Sequence, residues 1–476
     1  MSSSRFLLFL VTIWAACMAF YVHLFYGPKW SGFAVYSRSV PSLPSVKISN
    51  DSSEGVTKTR PIGIPSSVLP ASETGAPRLT EAFPSVENAT VPVTPKKKTF
   101  EEKVEEFRLV IPNSEKARCN DCEIIIGKRR VPYSEKSSIS RAPGPVSISI
   151  VTTATKERLA FLPYLLKRWP SYFTITVQLK RREKAYVIHA ITSLNLPDRV
   201  SIILYITGDS TGNFFVNRLR NVAIQSIRTT HFLILDMDAW PMENLHNELI
   251  NLPESVLSSS SSAVIVPIFF LSPMRILRNC TTLMQCAKLS EENFPANKAD
   301  LETCVRRRRC TQIKDKGIQH RYVRYSWYNV KGPLIKMKCF PNRFQEPYLL
   351  LRYSPDTLLF DERFINYGCN KVQFVDQLRL MGYDFYLLST SFSMDLVHHD
   401  SSYRRGYVSF ARAGMATEMR KLCDVYLAKA ERVYMNQTHV PICDKVVAQT
   451  PEMAQTPERP LSSFSPIFMW IGISVR

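Results

Sequence analysis

The chain has 476 residues, 45% of them hydrophobic and 11% aromatic, which excludes disorder throughout and allows one large core or two modest ones. Its formal charge of +20 suits nucleic acid, an acidic membrane surface or an acidic substrate, and equally a merely soluble basic surface. The 31 prolines against 16 glycines suggest that part of the length is extended linker.

In chain order, the first element is Phe6 to Phe25, 20 residues with no Asp, Glu, Lys or Arg. At about 1.5 Å per residue this run spans a hydrocarbon core of about 30 Å. A cleaved signal peptide has an apolar stretch of only about 7–15 residues, and the small residues Ala15-Ala16-Cys17 lie inside the run. The expectation is an uncleaved transmembrane anchor at 6–25 behind a cytosolic tail at 1–5. Orientation rests on Arg5 and the N-terminal amine against Lys29. The sequons at Asn50, Asn88, Asn279 and Asn436 fit a lumenal bulk. Of 11 cysteines Cys17 falls in the anchor, and the other ten suit pairing in an oxidising lumen, with connectivity open. Cys119-x-x-Cys122 is half of a zinc motif, but no second pair follows at zinc spacing, which favours a disulfide. A lumenal address and the lack of a recognition motif argue against nucleic acid.

Residues 26–145 are rich in Pro, Ser, Thr and charge, and read as a largely disordered stem with a short charged helix at Phe100 to Leu109. Order is expected from Val146. The β-branched run VSISIVTT precedes a helical pattern at Arg158 to Trp169, despite Pro163. Then come a strand at Phe173 to Leu179, a helix over Ala185 to Leu194, a strand at Val200 to Tyr205, a helix over Val216 to Ile227 and a strand at His231 to Leu235. This alternation predicts an α/β fold on a mainly parallel sheet, whose ligands bind beyond the carboxyl ends of the strands.

Beyond Leu235 stands Asp236-Met237-Asp238-Ala239-Trp240-Pro241. Two carboxylates one residue apart at the end of a buried strand suit a divalent cation, Mn²⁺ or Mg²⁺, bridging the diphosphate of a nucleotide sugar. The metal would neutralise charge on the departing nucleotide. Alone, Asp-x-Asp is more often a solvated turn. Asn217, Arg220 and Asn221, at i, i+3 and i+4, share a helix face that reaches the nucleotide or braces the loop. Thr152 and Thr153 end the first strand, where a base or ribose would sit; capping of the next helix is the alternative.

The stretch from Val216 to Pro241 resembles the donor-site segment of glycosyltransferase family 49, with Val216, Asn217, Arg220, Asn221, Ala223, Asp236, Asp238 and Pro241 matching its pattern. That family includes the LARGE-type glucuronyltransferase domain and the β-1,4-glucuronyltransferase of dystroglycan glycans. Ala263 to Pro267, Glu346-Pro347-Tyr348 with Arg352, Asp361 to Lys371, and Gly382-Tyr383-Asp384 resemble its later segments in the same order. The resemblance, over Val146 to Arg432, implies a GT-A type, Rossmann-like nucleotide-sugar-binding domain, with residues 146–435 catalytic and 436–476 a tail. It implies transfer of a sugar, glucuronate with inversion to a β linkage, from a UDP donor to a glycan hydroxyl on a glycoprotein. A Golgi membrane protein of type II follows, with Mn²⁺ (or Mg²⁺) as cofactor, and homo- or hetero-oligomers with other transferases remain open.

The family's histidine after the Gly-Tyr strand points to His398 as third metal ligand, with His399 and Asp395 behind it, since an ungapped match puts Asp395 there. An inverting transfer needs a carboxylate base. The Tyr367 to Lys371 turn has none, which leaves Asp361 and Glu362, or else a turn and helix cap; Asn370 and Lys371 are candidates to hold acceptor or diphosphate oxygens. Phe270 and Cys369 depart from the family pattern on the presumed acceptor side. The insert Leu271 to Tyr325 reads as two loops tied by Cys280–Cys286 and Cys304–Cys310, the second enclosing Arg306 to Arg309, an acidic-acceptor contact or a solvated basic loop. The rival expectation is a catalytically silent relative that binds glycan or assists another transferase. The apolar run Leu461 to Val475 packs on the fold or touches membrane; its pattern does not decide between them.

Overall fold

The computed structural model describes residues 98–112, 119, 121–133, 145–312, 318–413 and 417–443. The expected anchor, most of the expected stem, Asn50, Asn88 and the run 461–475 lie outside them. Among the described residues no helix is long and apolar enough to cross a membrane.

In chain order the strands are β1 (Glu123–Ile126), β2 (Arg129–Pro132), β3 (Ile148–Ala154), β4 (Tyr172–Lys180), β5 (Val200–Thr207), β6 (His231–Ile234) and β7 (Ala239–Pro241). They continue as β8 (Ser262–Val266), β9 (Ile268–Leu271), β10 (Cys310–Thr311), β11 (Leu334–Lys336), β12 (Tyr348–Arg352), β13 (Asp384–Leu388) and β14 (Ser393–Asp395). The larger sheet has the order β11-β13-β8-β12-β6-β3-β4-β5-β1-β2, and the smaller β10-β9-β14-β7.

The sheet is mixed, which corrects the expectation of a mainly parallel one. Its centre, β6-β3-β4-β5, is parallel. Here the β-branched runs Ile148–Ala154 and Phe173–Leu179 are buried on both faces, as parallel strands under helices must be. β12 then runs antiparallel to both β6 and β8, because it arrives from the insert and not through a helical crossover. Apolar cores fill both faces: Phe161, Trp169, Ile175 and Trp240 belong to one, Phe232, Phe269, Trp327 and Phe385 to the other.

Order starts before Val146. Thr99 and Glu102 form a reciprocal cap on the helix Phe100–Glu106, which buries Val104. Phe107 then packs edge-on against Tyr426 at 5.7 Å, and Gln377 Nε2 donates to Val110 O at 2.7 Å. The hairpin β1–β2 adds to β5 and closes through Gly127 at φ +56°, where a Cβ would lie 2.2 Å from Asp198 Oδ1. The fold also runs past residue 435. Phe340 N donates to Pro441 O at 2.9 Å, and Cys339 is bonded to Cys443. All ten of the cysteines expected to pair do so: Cys119–Cys122, Cys280–Cys286, Cys304–Cys310, Cys339–Cys443 and Cys369–Cys423.

Candidate active site

β6 ends at Ile234, and the chain turns through Asp236 and Asp238 before β7 begins at Ala239. Trp240 anchors this turn. It stacks on Tyr164 at 5.4 Å and meets Phe161 edge-on at 5.8 Å, so the segment after β3 lies over the two carboxylates. That segment is a 3-10 turn, Lys156–Phe161, leading into the helix Leu162–Arg168. Pro163 falls in the helix's first turn, where its missing N–H is not needed. The packing carries Arg158 to Asp238, with Nη1 2.7 Å from Oδ2.

The other side of Asp238 is set by the smaller sheet. β14 pairs with β7, and Leu396 N donates to Asp238 O at 2.8 Å. Two residues on, His398 Nε2 lies 2.9 Å from Asp238 Oδ2, and its Nδ1 lies 2.8 Å from His399 O. Of the three candidates, it is His398 that the fold brings to the carboxylate turn. His399 turns instead to Cys280 O at 3.3 Å, and Asp395 is buried in β14.

Asp236 faces other partners. The β12–β6 register, Leu350 opposite Leu233, puts Tyr348 next to the end of β6, and its hydroxyl donates to Asp236 Oδ2 at 2.9 Å. Lys371 Nζ lies 2.9 Å from the same oxygen, and Arg220 Nη2 donates to Oδ1 at 3.0 Å. Burial would raise both carboxyls. Lys371 and Arg220 outweigh it at Asp236, and Arg158 and His398 do so at Asp238, holding both below the usual carboxylate range. Burial opposes the His398 imidazolium, yet the hydrogen bond to Asp238 raises its pKa. The site is thus two carboxylates ringed by four cationic or cation-forming groups.

The helix Val216–Ile224 is buried except at Arg218. Its polar face braces the segment 360–362. Asn217 Nδ2 donates to Asp361 O at 2.9 Å, and Asn221 exchanges hydrogen bonds with Phe360 O and N at 2.8 Å each. Only Arg220 of this face reaches the carboxylate turn. The two proposed bases are occupied, which corrects that expectation. Asp361 is 1% exposed and is gripped by the Arg363 guanidinium, and Glu362 accepts from Arg218 at 2.7 Å and Asn221 at 3.1 Å. Thr152 is buried, its hydroxyl unbonded among the described residues, and the residue before the 3-10 turn is Thr155, so neither Thr152 nor Thr153 caps it. Asn370 Nδ2 donates to Asn366 O at 3.2 Å, while its Oδ1 is buried without a partner among the described residues.

Three residues given no role from the sequence lie at the site: Arg158, Tyr348 and Glu346. Glu346 is half-buried two residues before Tyr348, and its carboxylate accepts no hydrogen bond among the described residues. Burial first, then Asp236, pushes its pKa up against the pull of Lys371 and Arg220. The EPY segment was the available signal, since an extended chain presents alternate residues on one face.

The donor set suits a divalent ion in part. Asp238 and His398, a carboxylate and an imidazole, converge as ligands would. Asp236 is bound to Lys371 and Arg220 and would join them by exchanging those cations for the ion. Among the described residues the tightest cluster of ligand types is Cys280, Cys286 and His399, but its cysteines are a disulfide and offer no thiolate.

Residues 205–435 match the family model described as "Glycosyl-transferase for dystroglycan". Among curated relatives, the xylosyl- and glucuronyltransferase LARGE2 of Mus musculus is 26% identical over 274 residues, 54% of this chain and 35% of its own. LARGE2s of Gallus gallus is 24% identical over 270 residues, covering 54% and 33%. LARGE1 of Homo sapiens is 24% identical over 271 residues, covering 55% and 32%. The chain spans about a third of the length of these relatives. Among solved structures, GalNAc-T7 with UDP, GalNAc and Mn²⁺ aligns at a TM-score of 0.36 and 9% identity, covering 65% of this chain and 59% of that one. S. aureus TarS 1–349 aligns at 0.31 and 11%, covering 61% and 72%; at such scores neither bears on the site. Through residues 205–435 the chain matches a glycosyltransferase domain of family 49.

Proposed function

We propose that the protein is a metal-dependent GT-A glycosyltransferase that moves a sugar from a UDP donor to a hydroxyl of a glycan. Glucuronate, transferred with inversion to give a β linkage, is the sugar favoured by the family. The observation that carries this reading is the convergence of Asp236 and Asp238 with Arg158, Arg220, Lys371 and His398 beyond the carboxyl end of the central parallel strands.

A divalent ion held by Asp238 and His398, with Asp236, would supply Lewis-acid help to the leaving diphosphate. The chain's own groups do the rest. Arg158, Arg220 and Lys371 bring positive charge to the diphosphate, and Tyr348 holds Asp236 in place. Glu346 takes the proton of the acceptor hydroxyl. A carboxylate lifted by burial is a better base near neutral pH than one committed to ion pairs.

A Golgi address as a type II membrane protein is part of the proposal. It draws on the apolar run 6–25, on five disulfides, and on Asn279 and Asn436, both exposed within sequons. The second reading, a silent relative, draws on Asp236 facing Lys371 and Arg220 instead of Asp238 and His398.

The deciding experiment incubates the purified full chain with Mn²⁺ and a panel of UDP sugars, UDP-glucuronate and UDP-xylose first. UDP release is followed with and without EDTA, beside Asp238→Asn. Release from one donor that EDTA and the substitution abolish supports the transferase. A folded protein that neither releases UDP nor binds any donor by calorimetry is the silent relative.

A further inference from the structure

The turn Arg306–Arg309 sits on the edge of the smaller sheet, in register with the carboxylates. Cys310 of β10 pairs with Leu271 of β9. β9 pairs with β14 so that Asp395 lies beside Phe270, which sets Leu396 beside Leu271. Leu396 in turn bonds to Asp238 O. Asp238, Leu396, Leu271 and Cys310 therefore form one row, and three strand spacings of about 4.8 Å put Cys310 about 14 Å from Asp238. In the next row Ser272 N donates to Arg309 O at 2.8 Å, so the arginine turn lies toward the same end of the sheet as His398.

The turn is built in a way that stability alone does not explain. Arg306, in the last helical turn, is bonded to Glu302 Oε1 at 2.6 Å and already answers the helix dipole. Arg307, Arg308 and Arg309 are exposed, and their side chains form no ion pair or hydrogen bond among the described residues. Arg308 sits at φ +55° between two cap bonds, Arg308 N to Val305 O at 2.9 Å and Arg309 N to Cys304 O at 3.0 Å. Glycine or asparagine is usual at that position. The disulfide Cys304–Cys310 closes the loop and fixes the backbone from which the three side chains project before any partner arrives. Arg275 and Arg278, also exposed, follow Ser272.

We propose that Arg307–Arg309 form an acceptor subsite for an anionic oligosaccharide, gripping a carboxylate, sulfate or phosphate several sugars away from the reacting hydroxyl. The guanidinium fork matches such groups bidentately, and the span to Asp238 suits a short oligosaccharide. The inference rests on the transferase reading above.

The test measures binding of a heparin-derived tetrasaccharide to the full chain by calorimetry, with maltotetraose as the neutral control. Arg307→Ser/Arg309→Ser is expected to weaken heparin tetrasaccharide binding at least tenfold and to flatten its salt dependence. Arg308→Gly relieves the left-handed strain, so it is expected to raise the Tm while weakening binding several-fold. A rise in Tm with binding unchanged overturns the proposal, since the turn would then be a cap only. So does a wild-type protein that ignores the tetrasaccharide, or one that binds it no better than maltotetraose. Retention of binding by the double variant, or loss confined to anionic lipid vesicles, also overturns it. UDP release by the wild type is scored separately, so failure of the transferase reading and failure of the subsite give different results.

Discussion

Three acidic residues of the EPY and DER segments have very different surroundings. Glu362 is spent on Arg218 and Asn221, and Asp361 on Arg363, whereas the Glu346 carboxylate faces the site and accepts no hydrogen bond among the described residues. Glu346→Gln should therefore lower the turnover of sugar transfer by about 10²–10⁴-fold, the range for losing a general base, and leave UDP-sugar affinity within a few-fold. Single-turnover kinetics beside donor calorimetry check this, and loss of donor binding would assign Glu346 to the donor site instead. Glu362→Gln should leave turnover within a few-fold and lower stability by about 1–2 kcal/mol, because it weakens charge-assisted hydrogen bonds to the Val216–Ile224 helix. Urea unfolding measures that loss. In the sequence these carboxylates look alike. Asp361 is set apart by a partner two residues on, and Glu362 by contacts that reach across some 140 residues of chain.

At the scale of elements, local pattern carried the parallel centre and long-range pairing decided the rest. The runs at β3, β4 and β5 are rich in β-branched residues, that at β6 is apolar, and each strand falls close to where that pattern puts it. The reversal at β12 leaves no such mark, because strand direction is fixed by how the connection returns. The hairpin β1–β2 had a signal, the run Ile124–Ile126 before Gly127, but the Pro- and Ser-rich surroundings hid it. Arg158 was hidden in another way: its helical pattern was plain, while its partner Asp238 lies in the turn after β6, three strands further along the chain. One element carries a pH prediction. His231, at the start of β6, is buried with Nε2 2.8 Å from Leu257 O and Nδ1 2.9 Å from Thr230 Oγ1. Burial lowers its pKa below the usual 6.5. An unfolded chain then binds more protons than the native one below about pH 6.5, so the contribution of His231 is complete above that value. It is lost as pH falls through the folded pKa. Urea midpoints at pH 7.5 and 5.5 should differ less in His231→Gln than in the wild type, and an equal difference would assign the effect elsewhere.

For the whole molecule, the described fold is longer at both ends than the segment in which family motifs occur. The helix Phe100–Glu106 lies against the helix Glu418–Tyr434, with Lys429 Nζ donating to Glu105 O at 2.9 Å. Beyond residue 435, Val440 is fully buried, its carbonyl accepts from Arg379 at 3.2 Å, and Cys443 is bonded to Cys339 across a separation of 104 residues. A closed loop of that length restricts the unfolded chain strongly, by about 4–5 kcal/mol in the chain-entropy account. The helix at Phe100 was legible in the sequence, but its docking, and that of the chain beyond residue 435, was not, because short segments that add one apolar side chain or one cysteine to a distant core do not change a window average. The consequence is measurable. A chain ending after Gln437 removes Val440, the Arg379 contact and the Cys443 bridge together, and is expected to unfold at a urea concentration well below that of the full chain. Cys339→Ser/Cys443→Ser isolates the covalent part and should lower the unfolding free energy by about 2–5 kcal/mol while keeping the slope against urea close to the wild-type value of the same reduced chain. If the truncated chain unfolds no earlier than the disulfide variant, Val440 contributes nothing beyond its bridge. If both unfold with the full chain, residues 438–443 are a tail, and the fold ends where the family motifs do.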